Sequence, residues 1–194
     1  MNKPNNYDNA KAYSTFEPLP AGGYVCKIMQ VVETKSSTGK EMIVVSMDIA
    51  EGEQKDYYAK AYKEDTREDK KWGCNVYVLT EDAEGNTSRK FKGFIENVKA
   101  SNAGWNEVWG DKFCDNFKGK LVGAIFGREE YQKQNGDTAW STKCFYFDAV
   151  ERIRSGKVKT PQDRYLQQNS GSAAPSGSDG FMNITDGVDE ELPF

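Results

Sequence analysis

The sequence predicts a mainly β fold: a five-stranded barrel with one helix between its third and fourth strands, followed by a disordered acidic C-terminal tail. Three observations carry this. Strand-length runs rich in β-branched and aromatic residues recur along the first 159 positions. A single stretch changes to helical period. Beyond Lys159 the composition shifts to Ser, Gly, Gln and Pro, which bury too little apolar surface to offset chain entropy.

The elements follow in order. Residues 22–32 (GGYVCKIMQVV) and 41–50 (EMIVVSMDIA) read as a long hairpin around the polar loop ETKSSTGK, with Gly39 as its turn residue. In the second run Ile43, Val45, Met47 and Ile49 share one face at period two. Residues 56–63 (DYYAKAYK) and 72–80 (WGCNVYVLT) read as a third strand or strand pair, split by the charge run EDTREDKK. Over 88–100, Phe91, Phe94, Ile95 and Val98 fall at amphipathic-helix spacing. The runs 119–132 and 138–153 are two further strands, joined at Asn135–Gly136, a strong hairpin-turn signal. Strands, helix and strands in this order match a five-stranded barrel of the oligonucleotide/oligosaccharide-binding kind. The expected organisation is an N-terminal extension (1–20), the barrel (21–159), a flexible linker (160–187) and an acidic tip (188–194).

Charge is unevenly distributed. The 194-residue chain has net charge −4, yet residues 160–194 hold one cation, Arg164, against six acids, a net −5 that leaves +1 for the rest. An acidic tail on a domain that need not be acidic where it binds is the reading. No apolar run nears the roughly 20 residues of a membrane span, so no membrane partner is expected. The first residues lack a signal-peptide pattern, and a cytoplasmic location is expected. Histidine is absent, which removes the usual general base, and the protein is read as a non-enzyme without cofactors. Cys26, Cys74, Cys114 and Cys144 are far apart without a CxxC pair, which fits buried free thiols better than a zinc site.

Single-stranded nucleic acid is bound by aromatics that stack on bases beside cations that meet phosphates. In an extended DYYAKAYK, Tyr58, Lys60 and Tyr62 project to one face while Ala59 and Ala61 face inward. Lys35, Lys40, Lys63, Lys70 and Lys71 add positive charge, and Tyr131, Lys133 and Trp140 flank the last hairpin loop. In such barrels the ligand lies over strands 2 and 3, beneath the first and last hairpin loops. The competing reading is core or cross-strand packing, the expected role of Trp72, Phe126, Phe145 and Phe147. Acid clusters at Asp65, Glu68 and Asp69, or Glu129 and Glu130, open a metal-dependent nuclease as the alternative, though each lies in a mixed-charge run typical of solvated loops.

The terminal VDEELPF resembles the C-terminal tip of bacterial single-stranded-DNA-binding proteins, with Asp189, Glu190, Glu191, Pro193 and Phe194 at matching positions and Leu192 where that family often has Ile. The body is similar to phage and mobile-element single-stranded-DNA-binding proteins in LPAGGYVCKI, FKGKLVGAIFGREEY and KCFYF. The resemblance implies a barrel that coats single-stranded DNA without sequence preference. It also implies a tail that recruits replication, recombination or repair proteins, with Phe194 as anchor and the acids steering encounter. A pure protein adaptor and a strand-annealing mediator are neighbouring readings, and homo-oligomerisation stays open.

Overall fold

The computed structural model describes residues 3, 5, 7 and 17–166. Five strands, β1 (Gly22–Lys35), β2 (Glu41–Ile49), β3 (Asn75–Leu79), β4 (Leu121–Gln132) and β5 (Thr138–Asp148), form one antiparallel sheet in the order β3-β2-β1-β4-β5. Helix α1 (Tyr57–Glu64) precedes β3, α2 (Arg89–Ser101) lies between β3 and β4, and α3 (Val150–Arg154) follows β5. The predicted strand number and the helix between strands 3 and 4 are both present.

The sheet does not close, which corrects the expectation of a barrel. β3 has only five residues, all engaged by β2. Its outward carbonyl at Tyr77 accepts a hydrogen bond from Lys90 Nζ at 3.2 Å, so a side chain of α2 sits where a closing strand would pair. Strand β1 joins the two halves of the sheet. Its first residues pair with β4, and beyond a bulge at Met29, between Ile28 and Gln30, it pairs with β2 alone.

The second correction is at residues 57–64, which are helical and not a strand. Tyr58 and Tyr62 are four apart, a spacing shared by one strand face and one helix face, so alternation alone does not discriminate. Ala, Lys and Glu favour the helix, and a distant cap stabilises it. Asp48 on β2 is 5% exposed. Its carboxylate accepts from the backbone N–H groups of Tyr58 at 2.9 Å and Ala59 at 3.1 Å. Asp56, at the local N-cap position, has φ 60° and makes no side-chain cap. Asp48→Ala leaves buried amide donors without acceptors and is expected to cost about 2 kcal/mol, read as a lower urea midpoint at unchanged m value.

One face of the sheet carries the core. Ile43, Val45, Met47 and Ile49 are fully buried there, against Phe91, Phe94, Ile95 and Val98 of α2. Phe126 is buried in the same cluster and Trp72 and Phe147 pack against it, as their sequence context suggested; Phe145 is buried on β5. Cys26 and Cys74 are buried, Cys114 and Cys144 half-buried, and all four are free thiols.

The chain on both sides of the predicted barrel is built into the domain. Leu19 is 3% exposed, and three hydroxyls hold its segment: Tyr57 donates to the Glu17 carbonyl, Thr142 to Leu19 and Tyr24 to Pro20, at 2.7 to 2.8 Å. Among the described residues no helix is long and apolar enough to cross a membrane.

Candidate nucleic-acid interface

β1 pairs with β4 only as far as Phe126, so the remainder of β4 and the facing part of β5 extend past β1 as a two-stranded arm. The arm turns at Asn135–Gly136, as the dipeptide predicted. Gly136 has φ 89°, Gly136 N–H donates to the Lys133 carbonyl and Lys133 N–H to that of Asp137.

The edge of the arm that β1 leaves is taken by residues 163–165. Arg164 N–H donates to the Arg128 carbonyl at 2.9 Å, and Glu130 N–H donates to the Arg164 carbonyl at 2.8 Å, a short parallel pairing. The predicted linker therefore begins later than residue 160. Two such backbone bonds contribute about 2 kcal/mol net, and the exposed Arg128–Asp163 pair at 3.6 Å adds little.

Rings and cations interleave along this arm. The Arg128 guanidinium lies 4.7 Å from the centre of Trp140, and Tyr165, 71% exposed, meets Trp140 edge-on at 5.2 Å. The Arg164 guanidinium lies 3.7 Å over Phe145. Tyr131 is 40% exposed, and Lys133 is exposed beside the turn. Planar groups that present faces to a base, set among guanidinium and ammonium groups, can bind a flexible polyanion without reading its sequence.

Gly127 makes the arrangement sterically feasible. A Cβ placed there would lie 2.2 Å from the Phe145 ring. Gly127→Ala forces that ring, and the Arg164 side chain above it, to move; a loss of about 2 kcal/mol in urea unfolding is expected from this overpacking.

The structure brings together Tyr131, Lys133 and Trp140 of the residues nominated from sequence, and it separates the rest from them. Tyr58 is 6% exposed and stacks on Phe126 at 6.4 Å, so it is core and no platform. Tyr62 packs on Trp72 at 5.7 Å with Lys70 Nζ 4.5 Å from its ring. Lys60 Nζ donates to the Lys55 carbonyl, and Lys63 lies in the last turn of α1. Lys35 is paired with Glu41 at 2.9 Å, and the Lys40 carbonyl accepts from Ser36 N–H in the first hairpin loop. In the register of β1, that loop and the arm leave by opposite ends of the strand.

Three of the five carboxylates considered for metal, Asp65, Glu129 and Glu130, are engaged otherwise. Glu129 pairs with Lys143 at 3.3 Å, and Glu130 accepts from Leu166 N–H. Hydrogen bonds from Arg67 hold Asp65 down to about 2. Among the described residues no group of three ligand-type side chains is placed to hold a metal ion. The tip residues Asp189, Glu190, Glu191, Leu192, Pro193 and Phe194, and the stretch 167–187 before them, lie outside the described residues.

Three interface residues escaped the sequence reading: Arg128, Arg164 and Tyr165. Arg128 is followed by two glutamates, and PQDRYL lacks apolar periodicity and reads as linker. The one available signal was Gly127 inside a strand pattern, a mark of close approach by another group.

Residues 5–72 match the model of a family described as a protein of unknown function (DUF669). No curated protein matches the chain. The DUF669 match takes in β1, β2 and α1 and stops before the arm.

Proposed function

We propose that the protein binds single-stranded DNA without sequence preference and has no catalytic role, with the β4–β5 arm as its principal contact surface. The observation that carries this reading is the gathering of the Arg128 guanidinium and the Trp140 and Tyr165 rings at one place on the arm, with Tyr131 and Lys133 nearer its turn. Strand order and the position of α2 favour an oligonucleotide-binding barrel left open between β3 and β5, a fold in which the last hairpin loop commonly contacts ligand. The acidic tip recruits replication or recombination proteins, Phe194 entering an apolar pocket and Asp189, Glu190 and Glu191 meeting a basic rim. Such a protein works in the cytoplasm, where unwound DNA is found.

Fluorescence anisotropy with labelled oligo-dT tests the reading. Binding should tighten as the oligonucleotide lengthens and weaken by roughly 0.7 log units per tenfold salt for each phosphate contacted. Equal affinity for duplex of the same length overturns it, as does Mg²⁺-dependent cleavage of the oligonucleotide that EDTA abolishes.

A further inference from the structure

The short strand at residues 163–166 pairs with the sheet over fewer residues than any of the five strands. Its backbone makes two hydrogen bonds to β4, and a third comes from Leu166 N–H to the Glu130 carboxylate at 3.2 Å. Its charged contact, Arg128 to Asp163, is exposed, and Tyr165 meets Trp140 with most of its surface in solvent. By contrast β4 and β5 are joined from Gly123–Asp148 to Gln132–Thr138. Yet this short strand supplies Tyr165, which meets Trp140, and Arg164, which covers Phe145.

We infer that residues 163–166 form a detachable edge strand whose docking on β4 is linked to occupation of the interface by single-stranded DNA, an inference that rests on the function proposed above. With the strand docked, Tyr165 adds an exposed ring beside Trp140 and Arg164 adds a cation over Phe145. With it released, the ligand loses both and the free amide of Glu130 faces water. A ligand that prefers the docked state must, by reciprocity, tighten the docking by the same factor that docking tightens the ligand. The equilibrium is regulatory because residue 166 leads directly into the acidic stretch 167–194. Whatever takes hold of that stretch and draws on the strand weakens DNA binding, and DNA resists the pull.

Amide hydrogen exchange on the full chain, with and without saturating oligo-dT, reads the linkage at two defined sites. The Glu130 and Arg164 amides should exchange at least about tenfold more slowly with oligo-dT, the factor expected if stacking on one ring is coupled to docking. In the full-length variant Arg164→Ala/Tyr165→Ala, oligo-dT binding should fall about tenfold or more, and the protection of Glu130 by oligo-dT should disappear. If oligo-dT binds and the exchange of both amides is unchanged, the linkage is wrong while the proposed function stands. If the double variant binds as tightly as the parent chain, the strand is no part of the interface. If oligo-dT does not bind at all, both fall together.

Discussion

Replacing Arg128 and Trp140 together by Ala weakens binding to oligo-dT by about 100-fold, because each ring that stacks a base is worth about 1–3 kcal/mol and the guanidinium adds a phosphate contact. The loss has a diagnostic salt dependence. Removing one phosphate contact lowers the slope of log K against log salt by about 0.7, so the deficit narrows as salt rises. Thermal stability should barely change, since Arg128 lies on the exposed arm and Trp140 is outside the core cluster. Lys60→Ala provides the contrast: Lys60 lies on α1 with its ammonium bound to the Lys55 carbonyl, and the affinity should stay within about threefold of the parent. An anisotropy titration of the three proteins at two salt concentrations checks both statements. Parent-like affinity in the double variant, or a large loss on changing Lys60, would remove the arm from the functional account.

Alkaline pH is the second large lever. Burial pushes the Cys26 thiol well up, raises that of Cys74 and takes Cys144 up to about 12. In the unfolded chain all three ionise near the ordinary thiol value, roughly 8.5. Above that pH the unfolded state therefore sheds protons that the folded state retains. Stability is fully present below about pH 8.5 and declines as pH rises, by about 3 kcal/mol per pH unit for the two buried thiols, Cys26 and Cys74, with a smaller contribution from the half-buried Cys144. Tyr58, also raised by burial, adds to the decline above the ordinary phenol range. Urea midpoints at pH 8, 9.5 and 10.5 measure the slope, and a flat profile contradicts the burial of these groups. A buried thiol should also resist alkylation: at pH 8 mass spectrometry should find Cys26 and Cys74 modified only in urea.

Much of the architecture was legible because it rests on local rules. The period-two face at Ile43, Val45, Met47 and Ile49 and the helical face at Phe91, Phe94, Ile95 and Val98 each bury as their spacing requires. Asn135–Gly136 makes its turn because Gly136 tolerates φ 89°. The stretch around Tyr58 misled because Tyr58 and Tyr62 are four residues apart, which suits either period. The helix was chosen by Asp48, ten residues upstream of Tyr58, whose carboxylate caps it from another element. Local sequence holds no record of a cap that arrives through space.

The candidate site divides in the same way. Trp140, Tyr131 and Lys133 could be nominated because they flank a turn that the sequence announces. Arg128 acquires its role only when the β4–β5 register sets it over Trp140, and Arg164 only when Gly127 lets Phe145 cross β4 and residues 163–165 add themselves to its open edge. Sequence alone determined β1, β2, β4 and β5, the helix between β3 and β4, the burial of Cys26 and Cys74 and the contrast between a near-neutral body and an acidic end. Tertiary structure alone decided that the sheet stays open at β3, that Tyr58 belongs to the core and that the interface lies on the arm. The physical reason is range: periodicity and turn chemistry act within a few residues, whereas capping, close approach and edge pairing join groups distant in the chain.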